Sequence, residues 1–170
     1  MATEGGSATP TTTRAEAIVE FLRGEGVDYE LIEHEPTMSA AGEARTMHQS
    51  PDQVAKTIVL HDGSVYVIAA IPASERLDLH KVREVLGATR RLRFASESEI
   101  AHDFPRLEVG AVPPFGPMVP AAEVIDKALL EKPQILCPAG DHRHSVLVDP
   151  RDVVRITGAT TAYICQDQPR

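Results

Sequence analysis

Two apolar runs, residues 54–60 (VAKTIVL) and 65–71 (VYVIAAI), flank a turn centred on Asp62-Gly63, and this pair constrains the chain more than any other feature. Asp-Gly between apolar runs is a strong hairpin signal. Both runs are short and rich in β-branched residues, so they read as buried strands. Side chains alternate faces along a strand. Val54, Lys56, Ile58 and Leu60 therefore share one face, and Ala55, Thr57, Val59 and His61 share the other. Lys56 is the only charge in its run and points the same way as three aliphatic neighbours. A buried ammonium is costly unless something compensates it. Either Lys56 sits near the strand start and carries its amine out to water, or it projects into a pocket and meets an anionic or carbonyl group of a ligand.

Around this hairpin the pattern mixes helices and strands without a βαβ rhythm. Residues 14–23 have helical apolar spacing at Ala15, Ile18, Val19 and Leu22, with Thr13 as N-cap and Gly24 and Gly26 as stops. Residues 28–33 alternate like a strand, and residues 39–49 form a short helix beginning at Ser39. Residues 78–86 read as an amphipathic helix ended by Gly87. Residues 91–94 read as a short strand, and Ser96-x-x-Glu99 is a capping box for a brief helix through Asp103. Further strands are expected over residues 124–126, 134–137 and 144–148, with helical turns at 128–131 and 149–154. Residues 156–164 read as loose. The expectation is an α+β fold, with a curved mixed, mostly antiparallel sheet and helices packed outside. One domain would span residues 14–158, between a disordered tail at 1–13 and a loose C-terminal tail at 159–170.

Composition excludes several classes. The 170 residues carry a net charge of −8, against the excess of Lys and Arg that nonspecific nucleic-acid binding needs. Recognition of one nucleic-acid end by a few local contacts stays open. The only dense basic cluster is Arg90, Arg91 and Arg93, which reads as a charged strand edge. Cys137 and Cys165 show no CxxC or zinc-type spacing, which fits a reduced, cytoplasmic setting. The sequence has no apolar span long enough for a membrane helix.

Two more stretches could carry chemistry. Residues 110–120 (GAVPPFGPMVP) are dense in Pro and Gly. Proline has no N–H, so the donors near its start are those of Ala111, Val112, Phe115 and Gly116. Such a loop is either a plain surface turn or a stiff frame that aims backbone donors at an oxyanion. In residues 140–145 (GDHRHS), His142 and His144 fall on one strand face. Two histidines without a third ligand make a poor metal site, so neither metal nor cofactor is expected. His144 reads instead as structural or substrate-aligning. Ser145 lacks a GxSxG elbow and Cys137 has no base nearby in sequence, so a side-chain nucleophile is unsupported.

In this order and spacing, the stretches resemble the YbaK/prolyl-tRNA editing superfamily, whose free-standing members hydrolyse mischarged tRNA. The resemblance runs from about Tyr29 to Ile156 through VAKTIVL, IPASERLDL, LGATRRLRFAS, GAVPPFG and GDHRH. The last two match GxxxP and GxxxH signatures, at Gly110 and Pro114 and at Gly140 and His144. The resemblance implies a deacylase acting on the ester at the 3′ end of mischarged tRNA, with alanine on proline tRNA preferred and cysteine as the alternative. Lys56 would be the principal side chain of the pocket. Backbone donors of Gly110, Ala111, Val112, Phe115 and Gly116 would hold the oxyanion, with Thr57, Pro114, Gly140 and His144 on the substrate-binding side. It allows the substrate's own ribose hydroxyl to accept the proton. It makes prolyl-tRNA synthetase a candidate partner and leaves monomer or weak dimer open. The rival class is a module of the same fold that binds an aminoacyl or nucleotide ligand without turnover.

Overall fold

The computed structural model describes residues 13–87, 92–115 and 121–167. The chain opens with helix α1 (Arg14–Gly24), strand β1 (Tyr29–Glu33), helix α2 (Ala40–Thr46) and a 3-10 turn at Pro51–Gln53. The central hairpin follows as β2 (Ala55–His61) and β3 (Tyr66–Pro72), then α3 (Leu79–Leu86), β4 (Arg93–Phe94) and α4 (Glu97–Asp103). The last part contains β5 (Ala122–Asp126), α5 (Lys127–Leu130), β6 (Ile135–Pro138), β7 (His144–Val148), α6 (Pro150–Thr157) and β8 (Thr160–Ala162).

Local chemistry sets these boundaries. The Thr13 hydroxyl accepts from Glu16 N–H while the Glu16 carboxylate accepts from Thr13 N–H, a full capping box for α1. Ser39, Asp78, Ser96 and Asp149 each cap the helix that follows. At the hairpin, Asp62 Oδ1 accepts from the N–H groups of Ser64 and Val65, both at 2.8 Å. His61 pairs with Tyr66, which sets the β2–β3 register.

The mixed α+β architecture is present, with its strands divided between two sheets. One has the order β1-β7-β6 and the other β4-β2-β3-β5-β8. A parallel bridge from Val54 to Leu136 joins their edges. Pairing is antiparallel except at β3–β5 and β5–β8. The apolar run of β3 is covered on both faces. Ile68 and Ala70 enter a core with Ile18, Leu22, Phe104 and Ile135. Val67, Ala69 and Ile71 enter a second with Leu77, Val82, Leu92 and Ile164. A strand enclosed on both sides has no polar face, hence its continuous hydrophobicity.

The structure corrects the reading of residues 156–164. The final helix continues through Thr157, and residues 160–162 form β8, parallel to β5. Ile164 is fully buried in the second core. Of the residues expected to be loose from 159 onward, 160–162 are thus bound into the sheet and Ile164 into the core. Of the tail expected at residues 1–13, residues 1–12 lie outside the described residues and Thr13 is ordered as the cap of α1; Arg90 and Arg91 of the basic cluster also lie outside the described residues. No helix among the described residues is long and apolar enough to cross a membrane.

Asp126 holds this C-terminal segment. Its carboxylate caps α5 through Ala128 N–H and accepts from the buried Ile164 N–H, each at 2.8 Å. Asp126→Ala removes a cap and orphans a buried donor, and is expected to cost about 2–4 kcal/mol in urea denaturation, with Asp126→Asn costing less. Glu123 Oε1 is enclosed without a partner among the described residues, and burial pushes its carboxyl from 4.5 up to about 9. The native state therefore binds the extra proton across that window, and stability falls as pH rises through it. Glu123→Gln is expected to flatten this fall when denaturation is compared between mildly acid and mildly alkaline buffer.

Candidate active site

The two signature glycines meet. Gly110 has φ +87° and Gly140 has φ +94°, in the left-handed region that favours glycine. A Cβ on Gly140 would lie 3.2 Å from both Arg14 Cβ and Leu107 Cδ2, and one on Gly110 would lie 3.3 Å from His142 Cε1. Both positions thus combine backbone conformation with close approach. Their loops are stitched together: Gly140 N–H donates to the Ala111 carbonyl at 3.0 Å, and Glu108 N–H donates to the Gly140 carbonyl at 2.9 Å. Over residues 111–115 the Pro-Gly stretch is buried and forms no surface turn.

This packing revises the donor inventory. Ala111 N–H donates to the Glu108 carbonyl at 3.0 Å, so it closes the turn and is not free for a ligand. The N–H groups of Gly110, Val112 and Phe115 have no partner among the described residues. Gly116 lies outside the described residues.

A narrow cleft opens beside the stitched loops. Gly110, Ala111, Pro138 and His144 line it together with His34, Glu43 and Ser145. His144 Nδ1 lies 2.9 Å from both carboxylate oxygens of Asp141, so the carboxylate holds the Nδ1 proton and orients the ring. His142 faces Glu108 at 3.6 Å. Each histidine thus has its own carboxylate. Deacylation, if these histidines bind no metal, is expected to survive exhaustive chelation in full.

Sequence reading missed His34 and Glu43. They contact Ser145 across separations of 111 and 102 residues, which no local pattern reveals. Ser145 Oγ bridges His34 Nε2 and Glu43 Oε1 and is itself 1% exposed, which disfavours a nucleophilic role. Burial pushes the Glu43 carboxyl up, opposed by its bond to Ser145 and the charge of His34. Cys137 is fully buried and its thiol is held protonated.

Lys56 is half-buried, and its ammonium donates to the Glu75 carbonyl at 2.8 Å. Desolvation pulls its pKa down, with Cys165, Arg76 and Glu75 as its electrostatic neighbours. Glu75 and Cys165 belong to a second, wider hollow of about 290 Å³, which Lys81, Asp126 and Tyr163 also line. Lys56 thus bonds to a residue that lines that hollow, and itself lines neither the hollow nor the cleft. Thr57 points to the opposite face of β2, and its enclosed Oγ1 has no partner among the described residues. Pro114 is buried in the loop.

Because a Cβ on Gly140 would be strained by its positive φ and would crowd Arg14 and Leu107, Gly140→Ala is expected to lower stability by roughly 1–3 kcal/mol and to slow turnover beyond that loss. Thermal melts with activity at a temperature where the variant is folded would separate the two effects.

The chain shares 25% identity over 150 residues with the Prolyl-tRNA editing protein ProX of Acetoanaerobium sticklandii, covering 85% of this chain and 90% of that one. A solved structure of hypothetical protein APE2540 matches 89% of this chain and all of its own, with TM-score 0.80 and 25% identity. A candidate trans-editing enzyme for prolyl tRNA synthetase matches 92% of this chain and 99% of its own, with TM-score 0.81; at 23% identity this likeness concerns the fold. The model of the aminoacyl-tRNA editing domain matches residues 34–156, a span that includes the hairpin, both glycine loops and the cleft, and the chain belongs to this family.

Proposed function

We propose that this aminoacyl-tRNA deacylase removes alanine wrongly attached to proline tRNA. The observation that carries the reading is the joining of the loops of Gly110 and Gly140 beside His144, which places Gly110, whose N–H has no partner among the described residues, and an oriented imidazole at one cleft. An aminoacyl ester is labile, so positioning and charge stabilisation supply most of what hydrolysis needs. Water attacks the ester carbonyl. The N–H groups of Gly110, Val112 and Phe115 hold the developing oxyanion, with Gly116 continuing the loop. His144, fixed by Asp141, and Gly140 shape the amino-acid side of the site. Thr57 and Pro114 complete the substrate contacts.

Lys56 anchors the terminal nucleotide through its phosphate or the carbonyl region. Its bond to the Glu75 carbonyl is one that an anionic ligand can replace, since a charged acceptor binds an ammonium more strongly than a neutral one. The proposed setting is the cytoplasm, where charged tRNA occurs and free thiols persist. Prolyl-tRNA synthetase, the source of the mischarged product, is the proposed partner.

The test is single-turnover release from alanyl-, cysteinyl- and seryl-tRNA for proline, with melting curves. Alanine is expected to leave fastest; faster release of cysteine would move the assignment to that substrate. Lys56→Ala is expected to slow release about 100-fold or more. Its stability should change by less than about 1 kcal/mol, because the lost hydrogen bond and relieved desolvation oppose each other. Lys56→Arg should rescue poorly, since a planar guanidinium does not replace a point charge. Binding of aminoacyl-tRNA without release by the wild type would identify a binding module instead.

A further inference from the structure

His34 follows β1, Glu43 lies on α2 and Ser145 lies on β7, and the three side chains form one hydrogen-bonded chain along the cleft. Proton positions within it are restricted. His34 Nδ1 lies 2.7 Å from the Glu35 carbonyl. A carbonyl only accepts, so Nδ1 carries a hydrogen. His34 Nε2 lies 2.8 Å from Ser145 Oγ, and the same oxygen is bonded to Glu43 Oε1. Ser145 has one hydroxyl hydrogen for these two neighbours. When it points at Glu43, His34 Nε2 must donate, and an imidazolium faces a carboxylate. When it points at His34, the ring is neutral and Glu43 must donate as a carboxylic acid. The two arrangements hold the same number of protons. Turning one serine hydroxyl, with its partners exchanging protons, converts one into the other.

We propose that Glu43 accepts the proton of the attacking water, with Ser145 and His34 as positioning residues that keep its carboxylate ionised until it does. This rests on the deacylase reading above. The water oxygen bonds to the ester carbonyl carbon while one water proton passes to Glu43. The carbonyl electron pair moves onto the oxyanion. On collapse the carbon–oxygen bond to the ribose breaks, and the ribose oxygen takes the proton back from Glu43. The products are the free amino acid and the tRNA end, and no further reactant is needed. The hydrogen-bonded chain holds Glu43 at the cleft wall with Ser145 and His34 as its partners, while His142 faces Glu108, His144 is held by Asp141, and the buried Cys137 thiol is protonated.

The experiment compares the wild type with Glu43→Gln, Ser145→Ala and His34→Gln in single-turnover deacylation across mildly acid to alkaline pH. The wild-type rate is expected to fall on the acid side as Glu43 protonates. Glu43→Gln should lose about 100-fold or more and show no acid limb. Ser145 and His34 both favour the ionised form of Glu43, so removing either raises its pKa. Those two variants should be slow at neutral pH and recover at alkaline pH, a rescue that a merely structural role would not produce. Glu43→Gln with a wild-type rate and limb would overturn the proposal and leave the substrate's ribose hydroxyl as acceptor. Losses in Ser145→Ala and His34→Gln that are equal at every pH would overturn the positioning roles. Carboxyl 13C NMR of Glu43 gives a readout without substrate: its midpoint should rise in both variants, and an unmoved midpoint would also sink the proposal. A wild type that releases no amino acid from any aminoacyl-tRNA would refute the deacylase reading and the proton-transfer step with it, while the 13C titration still decides whether the three residues are coupled.

Discussion

Enclosure of β3 between two apolar cores is the constraint on which the rest of the molecule depends. Each face of the strand packs against different partners, so the hairpin cannot slip by one residue without exchanging them. The Asp62 turn removes that freedom locally, and β5 and β8 extend the sheet in parallel on the far side. With β2 fixed, Val54 reaches Leu136 and brings the smaller sheet alongside. The smaller sheet carries β7, and with it His144 and Ser145, so cleft geometry follows from hairpin register.

The cleft wall depends on a second constraint, the mutual approach of two glycine loops. Positive φ at Gly110 and Gly140 turns their backbones toward each other, and the missing Cβ atoms leave room for His142, Arg14 and Leu107. Two backbone hydrogen bonds then tie the loops, which rigidifies a segment already stiffened by Pro113 and Pro114. A rigid wall suits a reaction that relies on preorganised donors, because little reorganisation is left for the reacting step. The same packing uses up Ala111 N–H, so a donor count from sequence overstates what the loop offers.

Charge is handled differently on the two sides of the hairpin. Lys56 is partly desolvated and satisfied by one carbonyl next to an open hollow, a state that a ligand can improve. Glu43 is more enclosed and lies in a chain with Ser145 and His34 along which a proton can be exchanged. The first arrangement suits binding of a charged group and the second suits moving a proton.

The hairpin, the helix caps at Thr13 and Ser96 and the α+β class were legible in the sequence, because each arises from chemistry within a few residues or from strict alternation, and the glycine signatures were legible through the family resemblance. Residues 159–165 were not legible, since β8 and Ile164 owe their order to Asp126 and to β5, nearly forty residues earlier in the chain. Lys56 was recognisable as an anomaly, but its partner, the Glu75 carbonyl, is set by the loop after β3. The Glu43–Ser145–His34 chain left no trace in any motif. Local propensity and periodicity determine which elements form and which face each buries, whereas hydrogen bonds between residues more than a hundred positions apart exist only after the sheets have packed, and tertiary structure alone decided those.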